Sequence, residues 1–151
     1  MRKAVFPGSF DPITIGHSAL VERAIPLFDE IVVAIGHNSA KKYMYSLEQR
    51  TAWIEAVFAH APNVSVASYE GLTTDYCKSI GANFLLRGLR SAKDFDFEQP
   101  IAQMNRAIGD GLETVFLVTN PEHAAINSTI IRDIVRNGGD ASAFVPKQVN
   151  L

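Results

Sequence analysis

Features that are scarce in this sequence exclude several classes of protein. Cys77 is the only cysteine, so the chain forms neither an internal disulfide nor a zinc site built from several cysteines. The longest apolar runs, such as residues 31–35 and 115–118, are far shorter than the roughly 20 residues that a helix needs to cross a bilayer. We therefore expect a protein of a reducing compartment without a membrane span.

Strong charge of one sign is also absent. The formal net charge is −2, which argues against a large basic surface and so against nucleic acid as a partner. Residues 1–8 contain two basic residues but no apolar stretch that would serve as a signal peptide, so we expect a cytoplasmic location. With 47% hydrophobic and 20% charged residues, the 151 residues have an ordinary globular composition, and we expect one domain spanning residues 1–151.

Two common nucleotide-binding motifs are missing. The sequence contains neither G-x-x-x-x-G-K-[ST] nor G-x-G-x-x-G. A P-loop kinase and a dinucleotide-dependent dehydrogenase are therefore poorly supported.

The apolar pattern predicts an α/β protein. Short β-branched runs alternate with segments of helical spacing, which is typical of a parallel sheet of five strands with helices on both faces. The predicted strands lie at residues 3–6, 30–35, 64–67, 84–86 and 114–119.

The predicted helices have recognisable ends. An apolar stripe predicts the first helix at residues 17–28, and Ser46 with Gln49 forms a capping-box pattern before the second. A third is predicted at residues 73–80, ending at Gly81, and a last one from Ser128 to the glycines at 138–139. Pro100 interrupts a helical pattern between residues 91 and 108, where we expect a kink or a boundary.

Polar residues with the chemistry of phosphate binding follow the first strand. Residues 7–17 read P-G-S-F-D-P-I-T-I-G-H, in which glycines allow a phosphate to approach the backbone and His17 opens the next helix. Ligands of open parallel sheets bind beyond the carboxyl ends of the strands, so backbone amides and this imidazole can face one anion. The alternative is an ordinary Gly/Pro turn with a histidine at a helix start.

Cationic residues follow two other strands. Lys41 lies after the second strand, where it is either an anion ligand or half of a solvated surface pair with Lys42. Arg87 and Arg90 flank Gly88 after the fourth strand, and two guanidiniums in this arrangement suit bidentate contacts with separate phosphate groups.

These segments carry a resemblance to a known family. The motif Thr14-Ile15-Gly16-His17 resembles the first loop of the nucleotidylyltransferase superfamily, and Ser128-Thr129-Ile130-Ile131-Arg132 fits its S-T-x-x-R pattern. The R-G-L-R segment at 87–90, with residues 94–98 and 104–106, is similar to the phosphopantetheine adenylyltransferases in particular. The similarity covers nearly the whole chain in order and spacing.

The resemblance implies which residues bind each substrate. Those expected to contact 4′-phosphopantetheine are Ser9, Lys41, Thr73 and Arg87. Those expected to contact ATP are Ser9, Phe10, His17, Gly88, Leu89, Arg90, Glu98, His123, Ala124, Ala125, Ile126, Asn127, Ser128 and Thr129. The family usually has an aromatic residue followed by serines where this chain has residues 123–129. The contacts to adenine are therefore the least defined part of the expected ATP site. A helix N-cap is the alternative role of Ser128.

The implied reaction is in-line attack by a phosphate oxygen of 4′-phosphopantetheine on the α-phosphorus of ATP, which yields dephospho-CoA and pyrophosphate. His17 is the expected transition-state stabiliser, because a phosphate anion needs little help from a base. Mg²⁺ is expected on the ATP phosphates without protein ligands, and a homohexamer is expected from the family. The alternatives are a superfamily transferase with another phosphorylated acceptor and a non-catalytic nucleotide sensor.

Overall fold

Five short strands form one parallel sheet in the computed structural model, which describes residues 1–151. Their order is β3-β2-β1-β4-β5, so the chain builds outward from β1 first to one edge and then to the other. The predicted strands are confirmed, with ends that differ by three residues or fewer. The strands are β1 (Lys3–Gly8), β2 (Glu30–Gly36), β3 (Val64–Tyr69), β4 (Phe84–Leu89) and β5 (Glu113–Val118).

Helices cover both faces of the sheet. Successive residues of β1 point to opposite faces, so Ala4 and Phe6 join the larger apolar core while Val5 joins the smaller one. The larger core includes side chains of α1 (Ile15–Ala24), α2 (Leu47–Val57) and α5 (Ser128–Arg136). The smaller core contains Cys77 of α3 (Thr73–Ser79). Phe6, Trp53, Phe58 and Cys77 are all buried, as expected of core residues.

The first helix differs from its prediction at both ends. It begins at Ile15 because the Thr14 side chain caps it, and it ends at Ala24. Residues 25–27 continue as a 3₁₀ turn that contains Pro26, which has no N–H to donate to an α-helical ladder.

The other predicted caps are largely correct. Ser46 Oγ accepts a hydrogen bond from the Gln49 N–H at 3.0 Å, which is one of the two bonds of the predicted capping box. Gly81 and Gly138 follow α3 and α5 with φ angles of +69° and +78°, a conformation that glycine adopts without steric cost.

Of the two outcomes expected at Pro100, a kink or a boundary, the boundary is wrong. Helix α4 runs unbroken from Ala92 to Ile108 with Pro100 inside it. A proline leaves the carbonyl four residues earlier without its helical donor, and both Pro100 and Asp96 are exposed, so water can satisfy that carbonyl. Exposure of this side of α4 therefore permits the helix to continue through a proline.

Beside β1 the sheet opens at its carboxyl edge. Strand β1 pairs with β2 over its whole length, from Lys3 to Gly8, but pairs with β4 only at Ala4 and Val5. Beyond these residues β1 and β4 separate, at the point where the strand order reverses direction. A crevice at this point is where open α/β sheets bind their ligands.

None of the helices combines the length and the apolar character that crossing a membrane would require.

Candidate active site

Two cavities meet in the crevice between β1 and β4. The first, cavity one, has a volume of about 710 Å³, and the second, cavity two, about 460 Å³. Six residues line both and so form a common wall: Pro7, Gly8, Ser9, Arg87, Phe97 and Glu98. The arrangement accommodates two ligands whose ends meet at Ser9 and Arg87.

His17 is held in a defined orientation by the cap of α1. Its Nδ1 accepts a hydrogen bond from the Thr14 N–H at 3.0 Å, and the Thr14 hydroxyl accepts one from the His17 N–H at 3.2 Å. Because Nδ1 is the acceptor, the proton of the neutral ring lies on Nε2. The ring lines cavity two, so His17 offers one N–H donor to a ligand there.

The environment of His17 keeps this ring neutral. Burial lowers the pKa of His17 from 6.5 to about 4, and the positive charges of Arg87 and Arg90 act in the same direction. The ring packs edge-on against Phe10, with centroids 5.1 Å apart. At neutral pH the side chain is therefore a hydrogen-bond donor without a net charge.

The ring of Phe10, in the loop after β1, packs against Gly8, the last residue of that strand. Phe10 has a positive φ of 47° and is buried, which turns its ring beneath the backbone of this loop. A Cβ atom on Gly8 would lie 3.0 Å from Cζ of Phe10. The absence of a side chain at Gly8 thus allows the ring of Phe10 to pack closely against the backbone there.

Arg87 links three parts of the common wall. Its Nη1 donates to the Pro7 carbonyl at 2.8 Å, while Nη2 and Nε donate to Oε1 of Glu98 at 2.6 and 3.2 Å. Glu98 is the one buried residue of α4, and its Oε2 accepts no hydrogen bond within the chain. This oxygen remains available to a ligand hydroxyl at the meeting point of the cavities.

Arg90 lies on the cavity-two side. Its guanidinium donates to both oxygens of Asp94, at 3.0 and 3.3 Å, and this contact lowers the pKa of Asp94. Gly88 also lines cavity two, whereas Leu89 is not one of the residues around either cavity.

Cavity one contains the other predicted acceptor ligands. Lys41 lines it and forms neither a hydrogen bond nor an ion pair through its ammonium group. Thr73 also lines this cavity, with its hydroxyl 2.7 Å from Oη of Tyr69. Ser9, Lys41, Thr73 and Arg87, which come from four different segments, thus surround one cavity.

The structure adds two residues to which the sequence assigned no role. Asn105 and His37 both line cavity one, and the buried Nδ1 of His37 has no partner in the chain. Asn105 lies on the face of α4 that carries Glu98, Ile101 and Ala102, at spacings of three, four and seven residues. That helical spacing from Glu98 was the signal that would have identified Asn105.

The segment 123–129 contributes only in part. His123, Ile126, Asn127 and Ser128 line cavity two, while Ala124, Ala125 and Thr129 do not. Asn127, rather than Ser128, is the N-cap of α5, since its Oδ1 accepts from the Ile130 N–H at 2.9 Å. Ser128 instead donates its hydroxyl to the Pro12 carbonyl at 2.8 Å, which ties α5 to the loop after β1.

No group of three or more His, Cys, Asp or Glu side chains is close enough together to hold a metal ion. The cationic and amide-rich character of both cavities suits anionic ligands instead.

Comparison with known proteins identifies the family. The family described as "Cytidylyltransferase-like" matches residues 5–134. A phosphopantetheine adenylyltransferase from Flavobacterium psychrophilum is 56% identical over 151 residues, covering 100% of this chain and 99% of the relative. The chain belongs to the phosphopantetheine adenylyltransferase family. A second member, from Flavobacterium johnsoniae, is 54% identical with the same coverage. The resemblance stated from the sequence, and with it the expectation of a nucleotidyltransferase, is confirmed.

A solved structure supports the fold. A crystal structure from Vibrio parahaemolyticus, described as a candidate nicotinate-nucleotide adenylyltransferase, matches this chain with a TM-score of 0.72. It is 21% identical in sequence, and the match covers 98% of this chain and 96% of that one. The expected Rossmann-like nucleotidylyltransferase fold of the family is therefore confirmed.

Proposed function

We propose that this chain transfers the adenylyl group of ATP to 4′-phosphopantetheine, giving dephospho-CoA and pyrophosphate. The observation that carries the proposal is the pair of cavities that meet at Ser9 and Arg87, next to the single N–H donor of His17. Two cavities with a shared wall allow two reactants to meet at that wall. The names of the family members supply the chemical class of both substrates.

Cavity one is the proposed site of 4′-phosphopantetheine. Lys41 has a free ammonium group there, and Ser9 and Arg87 lie where the phosphate end would reach the second reactant. Thr73, with its hydroxyl beside Tyr69, is the proposed contact farther from the reacting phosphate. The volume of about 710 Å³ lies within the range of small-molecule sites.

Cavity two is the proposed site of ATP. Arg90 and the start of α5 supply a guanidinium and helix-start N–H groups, which favour phosphate anions. Glu98 has Oε2 free for ribose hydroxyls. His123 and Ile126 lie where the family has its nucleotide-binding segment, and Mg²⁺ is proposed to enter on the ATP phosphates.

The proposed step is a direct displacement. An oxygen of the acceptor phosphate forms a bond to the α-phosphorus while the bond from that phosphorus to the α,β-bridging oxygen breaks, and pyrophosphate leaves with both electrons. The acceptor phosphate is already an anion at neutral pH, so no general base is required. Nε2–H of His17 donates to the α-phosphate as negative charge redistributes, and the neutral ring needs no proton transfer.

The chain is also proposed to act as one domain, in the cytoplasm, and as a homohexamer. Large apolar side chains on α4 and β5 support an assembly, since Met104, Ile108 and Val118 are exposed. Light scattering after gel filtration tests this directly, and a monomer at micromolar concentration would contradict it.

The reaction is tested by mixing the protein with Mg²⁺, ATP and 4′-phosphopantetheine and measuring pyrophosphate release. We expect release only with both substrates, dephospho-CoA by mass spectrometry, and much less release when CTP replaces ATP. The His17→Ala variant should lose kcat by about a hundredfold or more while retaining ATP affinity, because the lost donor acts in the transition state. Release with another phosphorylated acceptor alone would contradict the substrate, and ATP binding without release on any acceptor would favour a sensor.

A further inference from the structure

Arg50 is a fully buried cation that the proposed reaction does not use. It lies in α2 with no measurable solvent exposure and is the largest of the fully buried side chains. It forms no ion pair with a carboxylate. Burial lowers the pKa of Arg50, while the nearby charge of Asp11 acts in the opposite direction. Burying a guanidinium in this way is unfavourable, and an apolar residue would suit a core better.

The guanidinium joins the two loops that carry the phosphate-binding residues. Nη1 donates to the Ser9 carbonyl at 2.7 Å, in the loop after β1, and Nε donates to the Tyr45 carbonyl at 3.1 Å, in the loop after β2. Nη2 is buried without a partner. The side chain therefore bridges specific backbone groups without satisfying all of its own donors.

A series of contacts extends from Arg50 to Lys41. The guanidinium carbon lies 4.2 Å from the centroid of the Tyr43 ring, at cation–π distance. Tyr43 Oη accepts a hydrogen bond from the Asn38 N–H at 2.9 Å, and the Asn38 carbonyl accepts one from the Lys41 N–H at 2.9 Å. Arg50 thus contacts Ser9 directly and Lys41 through two residues of its loop.

Asp11 reinforces the same connection from the other side. Its buried carboxylate accepts hydrogen bonds from the N–H groups of Met44 and Tyr45, both at 2.9 Å. The buried carboxylate of Asp11 and the buried guanidinium of Arg50 therefore both connect the loop after β1 to the loop after β2. The residues at 11 and 12 are also bound by Arg132 and Ser128, which anchor the ATP side independently of Arg50.

We propose that Arg50 is a positioning residue that sets the separation between Ser9 and Lys41 and thereby aligns the acceptor phosphate with the α-phosphorus of ATP. This inference rests on the proposed function for the identity of the acceptor. It assigns to Arg50 an effect on acceptor use that is larger than its effect on ATP binding, because the anchors from α5 remain in place.

The experiment compares three variants with the wild type. Arg50→Met removes the charge and both hydrogen bonds at similar volume, and Arg50→Lys keeps the charge but loses the planar donor set that reaches two carbonyls above an aromatic ring. Val57→Ala is the matched control, because Val57 is a buried residue of the same helix that lines neither cavity. Thermal unfolding identifies how much each variant loses in stability, and kinetics are measured well below the lowest midpoint.

We expect Arg50→Met to lower kcat/KM for 4′-phosphopantetheine by about tenfold to a hundredfold, the usual effect of a misplaced reactive group, with a much smaller change in KM for ATP. Arg50→Lys should recover part of this loss, and Val57→Ala should lose stability without it. Equal effects on both substrates, an equal kinetic loss in Val57→Ala, or full activity in Arg50→Lys would each overturn the positioning role.

Hydrogen exchange separates this inference from the proposed function. The Asn38 amide is protected by Tyr43, so its exchange should be faster in Arg50→Met than in the wild type and unchanged in Val57→Ala. This result would support the positioning role of Arg50 even if the wild-type protein had no activity with 4′-phosphopantetheine. Absence of that activity would contradict the proposed function alone. Unchanged exchange at Asn38 in Arg50→Met would overturn the positioning role in either case.

Discussion

At the scale of single residues, the ring of His17 has a structural function in the cap of α1 and a proposed chemical function in the transfer reaction. Nδ1 completes the cap of α1 by accepting from Thr14, and this contact directs the proton to Nε2, on the side of cavity two. A helix cap and a ligand donor therefore depend on the same tautomer. Replacing this residue affects both, so stability and kinetics must be measured together.

The lowered pKa of His17 predicts how stability depends on pH. In the unfolded chain His17 titrates near 6.5, whereas in the folded chain it titrates at about 4, so between these values the unfolded state binds more protons. The contribution of this pKa shift to the free energy of unfolding is fully present above pH 6.5 and is lost as pH falls to about 4. It amounts to at most about 3 kcal/mol, and less because part of the ring faces the cavity.

Urea unfolding of the wild type and of His17→Asn at several pH values between 4.5 and 7.5 measures this contribution. The free energy of unfolding should rise with pH more steeply in the wild type than in the variant. Parallel curves would show that His17 is not the group responsible.

Arg87 is predicted to be irreplaceable by lysine. Its guanidinium contacts the Pro7 carbonyl and Glu98 at once, with side-chain exposures of 33% for Arg87 and 10% for Glu98, and a lysine ammonium cannot reproduce both contacts and still face a phosphate. We expect Arg87→Lys to lower kcat/KM by at least about tenfold, or ~1.4 kcal/mol in the barrier. Steady-state kinetics check this.

Arg106 provides the matched control for that experiment. It is exposed, donates to Glu113 at 2.6 Å and lines neither cavity. Arg106→Lys should leave kcat/KM unchanged, and a loss equal to that of Arg87→Lys would mean that the site does not depend on Arg87 in particular.

At the scale of secondary structure, α4 carries Glu98 and Asn105 to the cavities even though Pro100 lies between them. We predict that Pro100→Ala stabilises the protein by about 1–3 kcal/mol, because alanine restores a helical hydrogen bond and removes a steric contact. The greater flexibility of the unfolded alanine chain offsets about 0.4–1 kcal/mol of this gain. Urea denaturation measures the change.

Gln103→Ala is the comparison for the proline variant. Gln103 is exposed on the same helix, and its replacement should change the free energy of unfolding by no more than about 0.5 kcal/mol. If Pro100→Ala were less stable than the wild type, the backbone at Pro100 would depend on the proline ring itself.

At the scale of the whole molecule, the rate at which Cys77 is labelled by a thiol reagent is predicted to measure global unfolding. The thiol is buried in the smaller core, and burial raises its pKa to about 11, so at pH 8 it is neither accessible nor ionised in the folded protein. Its labelling by a thiol reagent should be slow and should accelerate in urea. Saturating ATP should slow labelling further, by about a hundredfold at 100 times Kd, since ATP binds the folded state.

The outcome that contradicts this prediction is rapid labelling that ATP does not affect. In that case the smaller core would open locally around α3, independently of the ATP site. The single cysteine makes the assignment of the signal unambiguous.

Much of the fold was predictable because local patterns and tertiary packing agree. The strands are runs of β-branched residues, and the predicted cap at Ser46 lies immediately before α2. The caps at Thr14 and Asn127 were not predicted. Pro100 was misjudged because its effect on a helix depends on whether water reaches the freed carbonyl. That exposure is a property of the assembled surface rather than of the neighbouring residues.

The candidate site was predictable only where the motif itself carries the chemistry. His17, Arg87 and Ser128 belong to recognisable segments, and all of them line cavity two. Asn105 was identifiable only by its helical spacing from Glu98. Arg50, whose positioning role is proposed, sits in an ordinary amphipathic helix, where sequence alone does not distinguish a side chain that contacts loops from one that faces the core.

The sequence by itself determined the class of fold and the loops that carry cationic and hydroxyl groups, because these depend on residue type and periodicity along the chain. It indicated the family through the resemblance of its motifs to those of known members. Only the tertiary structure decided that Ser9 and Arg87 form a wall shared by two cavities, that the proton of His17 lies on Nε2, and that Arg50 connects the loops of Ser9 and Tyr45. These features require β1 and β4 to separate at the carboxyl edge and distant segments to converge there. Such convergence follows from strand order and packing, which no local pattern contains.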